Sequence, residues 1–317
     1  MPEKALKPPA VAADARIAVV SLASSARSDK VHHGIAALRK LGYDAVASQH
    51  ALGKYPPYFS ASPEDRLADL HSAFRDPEVG AIICTRGGYG SNYLLEGLDL
   101  NLIRKHPKPL FGYSDMTPIQ TWLLDQTGLV SFHAPMAAAD FSLENGVHLD
   151  SLKKALTGGL VEAGRAQGLR ILRPGRARGV VYGGCLSLLT ASLGTRFAPQ
   201  TEGKLLFLED IGTKPYQIDR MLRQMIFAGK FEGVRGFIFG EMLDCGSRGA
   251  DPDLLQQVIV RVLEGFNVPI AIGLRSGHVS GGNVTLPLGI EAALNLENDQ
   301  PLLRYLEPAV SSAEHAA

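Results

Sequence analysis

The chain has 317 residues, 45% of them hydrophobic, which is enough for a sizeable core in two domains or one large one. Thirty-two Lys and Arg balance thirty-two Asp and Glu, so no global field argues for nucleic acid or an anionic membrane surface as partner. No run approaches the roughly 18 apolar residues that span a bilayer, and Cys84, Cys185 and Cys245, odd in number and widely spaced, read as free buried thiols rather than disulfides or a zinc site.

Residues 1–14 contain two adjacent prolines and no apolar run of the signal-peptide type, and read as a disordered tail. From residue 15 to 150, strand-like and helix-like patterns alternate. Ile17 to Leu22 is an apolar strand, and Ser28 can cap a helix whose Val31, Ile35, Leu38 and Leu41 recur at helical spacing until Gly42 ends it. Ser62 followed by Pro63 opens another helix, and Val79 to Cys84 is again a continuous apolar strand. Strands without polar alternation, joined by helices, predict a parallel sheet covered on both faces, with ligands beyond the carboxyl ends of its strands.

Two loops fall at such ends. Thr85 to Gly90 lacks both the lysine of a P-loop and the spacing of G-x-G-x-x-G. It reads either as a tight turn or as a loop bringing backbone N–H groups close to a ligand. Lys108 to Trp122 places Ser114 between a short apolar strand, Pro109 to Phe111, and a helix opened by Thr117-Pro118. A serine on such a bend projects its hydroxyl from the sheet beside the next N–H, as in a nucleophile elbow, although Met116 stands where the second glycine of G-x-S-x-G belongs. The same residues also read as an ordinary turn into a capped helix.

Between Asp140 and Gly183 the apolar periodicity weakens and Arg165, Arg170, Arg173, Arg176 and Arg178 crowd together. This predicts a linker region over residues 151–179, with a C-terminal domain over 180–317. The arginines read as a solvated face or, alternatively, as a site for a substrate carboxylate. Beyond them, Lys204 to Leu208 is a strand ending in Glu209 and Asp210. Tyr216 to Phe227 and Leu254 to Phe266 are helices, and Val234 to Gly240 and Val268 to Leu274 are strands. The glycine-rich loop Arg275 to Asn283 then carries His278, a position from which an imidazole can be aimed into a cleft. His133 is the only other histidine in a comparable loop. Serine, glutamate and histidine in that order supply the nucleophile, orienting carboxylate and base of a hydrolytic triad.

Taken together, Gly112-Tyr113-Ser114-Asp115, Arg86-Gly87-Gly88-Tyr89-Gly90, Leu206 to Asp210 followed by Pro215 to Arg220, and Gly277-His278 with Asn283 and Pro287 resemble the L,D-carboxypeptidase family of serine peptidases, which includes muropeptide carboxypeptidases and microcin C immunity peptidases. The resemblance spans residues 15–303. It implies an α/β fold: a parallel-sheet N-terminal domain carrying the nucleophile elbow, and a smaller, mixed, strand-rich C-terminal domain carrying the glutamate and histidine. It further implies Ser114 as nucleophile, His278 as base and Glu209 as orienter. The oxyanion hole would be made by the N–H groups of Asp115 and of Gly87 or Gly88. No cofactor or metal is implied, and the assembly would be a cytoplasmic homodimer without nucleic-acid or membrane partners. The substrate would be a small peptide, a muropeptide cleaved between the L-centre of a diamino acid and a terminal D-alanine in cell-wall recycling. An aminoacyl-nucleotide antibiotic, or non-catalytic binding of peptidoglycan fragments, are the alternatives. The chain departs from the family pattern at Tyr93, where arginine is expected, at His133-Ala134-Pro135, where His-Gly-Pro is usual, and at Cys185, where asparagine is expected. These departures are expected to touch substrate identity rather than chemistry.

Overall fold

The computed structural model describes residues 5–246, 251 and 253–312. In the first half, β1 (Arg16–Val20), α1 (Ser28–Lys40), β2 (Asp44–Ala47), α2 (Pro63–Arg75), β3 (Val79–Cys84), α3 (Leu100–Lys105), β4 (Leu110–Gly112), α4 (Thr117–Thr127) and β5 (Ser131–His133) alternate. The second half contains α5 (Leu149–Thr157), β6 (Glu162–Gly164), β7 (Arg170–Arg173), β8 (Arg176–Cys185), α6 (Leu186–Ala191), β9 (Lys204–Glu209) and α7 (Pro215–Phe227). It continues with β10 (Gly236–Gly240), α8 (Leu254–Val262), β11 (Ile270–Leu274), β12 (Leu286–Leu288), β13 (Glu291–Asn295) and β14 (Leu302–Tyr305).

The first sheet has the order β12-β5-β4-β3-β1-β2. Strands β1 to β5 pair in parallel, and the apolar runs of β1, β3 and β4 are those of strands covered on both faces, while β2 at the edge is half exposed. Helix α2 starts where expected, with Ser62 Oγ accepting the N–H of Asp65 at 3.1 Å and Pro63 in the first turn. Helix α1 differs slightly. Its cap position is Arg27, which carries no side-chain cap bond, and Ser28 lies inside the first turn.

The second sheet, β6-β14-β13-β8-β9-β10-β11-β7, is mixed. Its centre, β8 to β11, is parallel, and antiparallel strands close both sides. With eight strands it is the larger of the two sheets. The stretch 151–179, read from the sequence as a linker region, is built into the fold. It forms most of α5, then the edge strands β6 and β7 and the start of the central strand β8, and exposed arginines along it mask the apolar period. Arg178 is bidentate on Glu291 at 2.7 and 2.8 Å, Arg176 pairs with Glu297 at 2.7 Å, and Arg165 pairs with Asp299 at 2.6 Å.

Two connections tie the halves together. Strand β12, from the C-terminal half, lies antiparallel to β5 at the edge of the first sheet, with Leu286 opposite His133. Much of the N-terminal stretch expected to be disordered is packed, from Ala5 to Val11, while residues 12–14 are exposed. Leu6 exchanges backbone bonds with Gly128 and Val130 at 2.8 and 3.0 Å, and the Val11 side chain enters the core. Its scattered apolar residues find a groove that sequence periodicity does not reveal. All three cysteines are free and buried.

Candidate active site

Strand β4 ends at Gly112, whose lack of a side chain leaves room for Met116 to fold back; a Cβ there would stand 2.8 Å from Met116 Cγ. Tyr113 is extended, and Ser114 then adopts φ 63°, a left-handed conformation unusual for any residue but glycine. That strained turn is the expected elbow, and α4 runs on from it. The Thr85 to Gly90 loop crosses directly above. A Cβ on Gly87 would come within 2.8 Å of Ser114 Cβ, 2.9 Å of its Oγ and 3.1 Å of the Asp115 nitrogen. Gly87 is therefore required for close approach rather than for turn geometry. The Asp115 side chain turns away from the cleft, its Oδ2 accepting the Ser91 N–H at 2.8 Å. Burial pushes its pKa up to about 6.

Across the cleft, Glu209 closes β9 and is fully buried. Its Oε2 accepts two bonds from one residue: the backbone N–H of His278 at 3.0 Å and His278 Nδ1 at 2.7 Å. The second bond assigns the proton to Nδ1 and turns Nε2 outward. Burial alone would lower the His278 pKa, but the bond to Glu209 and its negative charge, with smaller help from Asp210 and Asp140, outweigh it and raise the value. Burial likewise acts to raise the Glu209 pKa, and the contacts with His278 reverse it to a net lowering. Gly277, at φ 92°, permits the turn. A Cβ there would stand 2.6 Å from His133 Nε2 and 2.7 Å from Glu209 Cδ. Ser114 and His278 line the same cleft, of about 300 Å³, together with Arg27, Lys30, Arg86, Gly87, Gly88 and Tyr113. The edge of the Tyr113 ring meets the His278 imidazole at 5.1 Å between centroids.

The loop carrying His278 is itself held by Asn283, which belongs to the matched motif, and by Asp140, which the sequence did not single out. Asn283 Oδ1 accepts the Gly277 N–H at 3.0 Å, and its Nδ2 donates to Gly277 O at 3.1 Å and to Asp140 Oδ1 at 3.0 Å. Asp140 is buried, with a pKa pushed up to about 6 by desolvation, and its Oδ2 accepts the Met136 N–H at 2.8 Å. The lone acid closing the run Ala137 to Ala139 was the available signal. His133 does not line the cleft as its motif position had suggested. It is fully buried beneath Gly277 against Phe207, and burial lowers its pKa to about 4. Cys185 is also buried, its N–H donating to Thr117 Oγ1 at 3.0 Å. Among the described residues, no group of His, Cys, Asp or Glu has metal-ligand geometry. The arginines between Arg165 and Arg178 do not line this cleft, whereas Arg86 does.

The model of the LD-carboxypeptidase N-terminal domain matches residues 17–134, and that of the LD-carboxypeptidase C-terminal domain matches 178–294. The chain belongs to the LD-carboxypeptidase family. This LD-carboxypeptidase family member is 38% identical over 296 residues to the probable murein peptide carboxypeptidase of Bacillus subtilis (strain 168), covering 91% of each chain. It is 30% identical over 298 residues to the murein tetrapeptide carboxypeptidase of Pseudomonas aeruginosa, covering 89% of this chain and 93% of that one. Among solved structures, the MccF-like protein of Bacillus anthracis str. Ames superposes with a TM-score of 0.87 at 28% identity, over 96% of this chain and 100% of that one. No helix among the described residues is long and apolar enough to cross a membrane.

Proposed function

We propose that the protein is a serine L,D-carboxypeptidase that removes the terminal D-alanine from cytoplasmic muropeptides in cell-wall recycling. The observation that carries the reading is the facing pair: a serine held at φ 63° on one wall of a cleft, and on the other a histidine whose Nδ1 is fixed 2.7 Å from a buried carboxylate. In this mechanism His278 Nε2 takes the proton of Ser114 Oγ as the oxygen attacks the carbonyl of the diamino acid's L-centre. The oxyanion forms beside the N–H of Asp115 and that of Gly87 or Gly88. His278 then returns the proton to the departing D-alanine amine, leaving an acyl-enzyme. Water, activated by the same imidazole, hydrolyses the ester. Glu209 holds the ring in the tautomer with Nε2 free and stabilises the imidazolium that forms.

The charge of the cleft supports a peptide with free carboxylates. Arg27, Lys30 and Arg86 line it, and among the described residues no Asp or Glu does. Arg27 is engaged by Asp29 at 2.8 Å, whereas Arg86 sits beside the oxyanion glycines. We assign Arg86 to the terminal carboxylate, since a guanidinium pairs with that group in a bidentate fork. The muropeptide reading also draws on the names of the Bacillus subtilis and Pseudomonas aeruginosa relatives. The immunity-type alternative draws on the likeness to the MccF-like protein. An aromatic loop in the middle of the chain would favour it. The only tryptophan, Trp122, instead packs edge-on against Phe197 at 4.8 Å, outside the residues that line the cleft.

The test is incubation with a tetrapeptide ending in D-alanine, with free D-alanine read by mass spectrometry, beside an aminoacyl sulfamoyl nucleoside. Release of D-alanine by the wild type but not by Ser114→Ala is the expected result. Turnover of the nucleoside alone would move the assignment to the immunity type.

A further inference from the structure

Three buried polar atoms that the mechanism does not use lie beneath the histidine wall. Glu209 Oε1 and both ring nitrogens of His133 have no hydrogen-bond partner among the described residues. Glu209 Oε2, by contrast, is engaged twice by His278. A carboxylate oxygen or an imidazole N–H taken out of water without a partner loses its hydration with nothing in return, so buried groups of this kind are rarely left alone.

The backbone places these groups against one another. His133 ends β5, paired with Gly112 of β4 on one side and with Leu286 of β12 on the other. Its ring meets Phe207 at 5.0 Å and Tyr113 at 5.8 Å between centroids. Phe207 and Glu209 stand two apart on β9, so the face of β9 that meets His133 is the face that carries Glu209. Gly277 covers the junction. A Cβ there would stand 2.6 Å from His133 Nε2, 2.7 Å from Glu209 Cδ and 2.8 Å from Glu209 Oε2. A nitrogen and a carboxylate so close to one point lie within reach of a direct hydrogen bond or of one bridging water. Complete burial lowers the His133 pKa to about 4, with Glu209 opposing and His278 adding to the effect. At neutral pH the ring therefore has one N–H and one lone pair, while an ionised carboxylate only accepts.

We infer that His133 is a positioning residue for the triad: its neutral ring donates Nε2–H to Glu209 Oε1, directly or through one buried water, and so sets the plane of the carboxylate that orients His278. The inference rests on the Ser114, His278 and Glu209 roles of the proposed carboxypeptidase and adds a fourth group, one that touches no substrate. A terminal carboxylate torsion is broad. With only Oε2 held, Glu209 can turn about its Cγ–Cδ bond and loosen its grip on the His278 ring; a donor on Oε1 stops that rotation. A neutral donor suits the task better than a cation, which would draw the Glu209 charge away from His278 and repel the imidazolium formed during turnover. The same ring spans the two halves. Gly112, its strand partner, stands two residues before Ser114, whereas Glu209 belongs to the second sheet. One side chain thereby registers the base against the nucleophile.

The test compares His133→Phe, which keeps a ring and removes both nitrogens, with His133→Gln, whose amide nitrogen reaches the place of Nε2. In the phenylalanine variant kcat for D-alanine release should fall about 30-fold, with KM within about twofold and unchanged melting. The glutamine variant should recover to within about fivefold of the wild type. The rate at which a fluorophosphonate probe labels Ser114 should fall and recover in step, which reads the triad without any peptide. Nitrogen NMR of the wild type with isotopically labelled histidine should show His133 as the neutral Nε2–H tautomer at neutral pH, with its Nε2 resonance moving in Glu209→Gln. Equal losses in the two His133 variants would mean packing alone and overturn the inference. So would full activity in His133→Phe, a charged His133 ring, or the Nδ1–H tautomer. If neither variant folds, the tautomer and its response to Glu209→Gln decide. A wild type that takes the probe but releases no D-alanine would sink the carboxypeptidase reading, and the labelling rates would still test His133.

Discussion

The two walls of the cleft are built by opposite means. On the serine wall the backbone does the positioning: Ser114 is held in a left-handed turn, and Gly87 fits over it because it has no side chain. On the histidine wall the side chains do it, with a fully buried carboxylate accepting both the N–H and Nδ1 of His278. Strain fixes one partner and buried charge the other. The first wall should therefore be sensitive to added volume and nearly indifferent to pH, and the second the reverse.

The largest effects should come from removing either partner. Ser114→Ala and His278→Ala are each expected to lower kcat by about 10⁴-fold or more, measured as D-alanine release, with unchanged thermal melting. Wild-type turnover in either variant would overturn the mechanism. Gly87→Ala tests the serine wall alone. Its methyl would press on Ser114 and on the Asp115 nitrogen, so kcat should fall by about 10²-fold or more while the pH profile keeps its shape. Amidating the terminal D-alanine should lower kcat/KM by about 100-fold, on the order of 3 kcal/mol, because an amide leaves Arg86 without its second acceptor. Arg86→Met should abolish most of that discrimination; equal rates on acid and amide in the wild type would mean a general amidase.

The histidine wall is tested by Glu209→Gln and the pH dependence of kcat/KM. The base works as neutral imidazole, so activity rises with pH through the His278 pKa, which the structure raises above the ordinary histidine value. Removing the Glu209 charge leaves burial, which lowers that pKa, and takes away the bond and charge that raise it. The acid limb should move to lower pH while the maximum rate falls. An acid limb that stays in place would show that Glu209 does not face the base in solution. Dialysis against EDTA should change nothing, and activity lost on dialysis and restored by zinc would contradict a purely organic triad.

The sequence exposed the parts of this comparison that sit at ends of buried strands. Ser114, Glu209 and His278 each follow an apolar run, and glycine or proline marks the turns around them. The parallel strands β1, β3 and β9 were legible because both of their faces are covered and no polar residue interrupts them. Strands β6, β7 and β14 were not: each is short and turns Arg or Glu toward solvent, β6 and β7 at the two edges of the sheet and β14 beside β6. Asp140, Asn283 and His133 act on the site through contacts between residues far apart in sequence, such as the 3.0 Å bond from Asn283 to Asp140. No local pattern encodes a partner about 140 positions away. The packing of Leu6 and Val11 was hidden for the same reason.

Strand β12 gives the proposed base an unusual mooring. The loop bearing His278 leaves β11 in one sheet and, after Asn283, enters β12 in the other, so it is a short strap tied at both ends to different halves of the molecule. A hinge motion that slid the halves apart would pull on the strap first, drawing the imidazole off its line to Ser114 before any other contact at the site was lost. Catalysis then requires the halves to hold still against each other, and melting should be a single cooperative event in which activity and the first sheet are lost together. A fragment ending near residue 150 would leave β5 as an unpaired apolar edge, a surface prone to self-association rather than a free-standing domain.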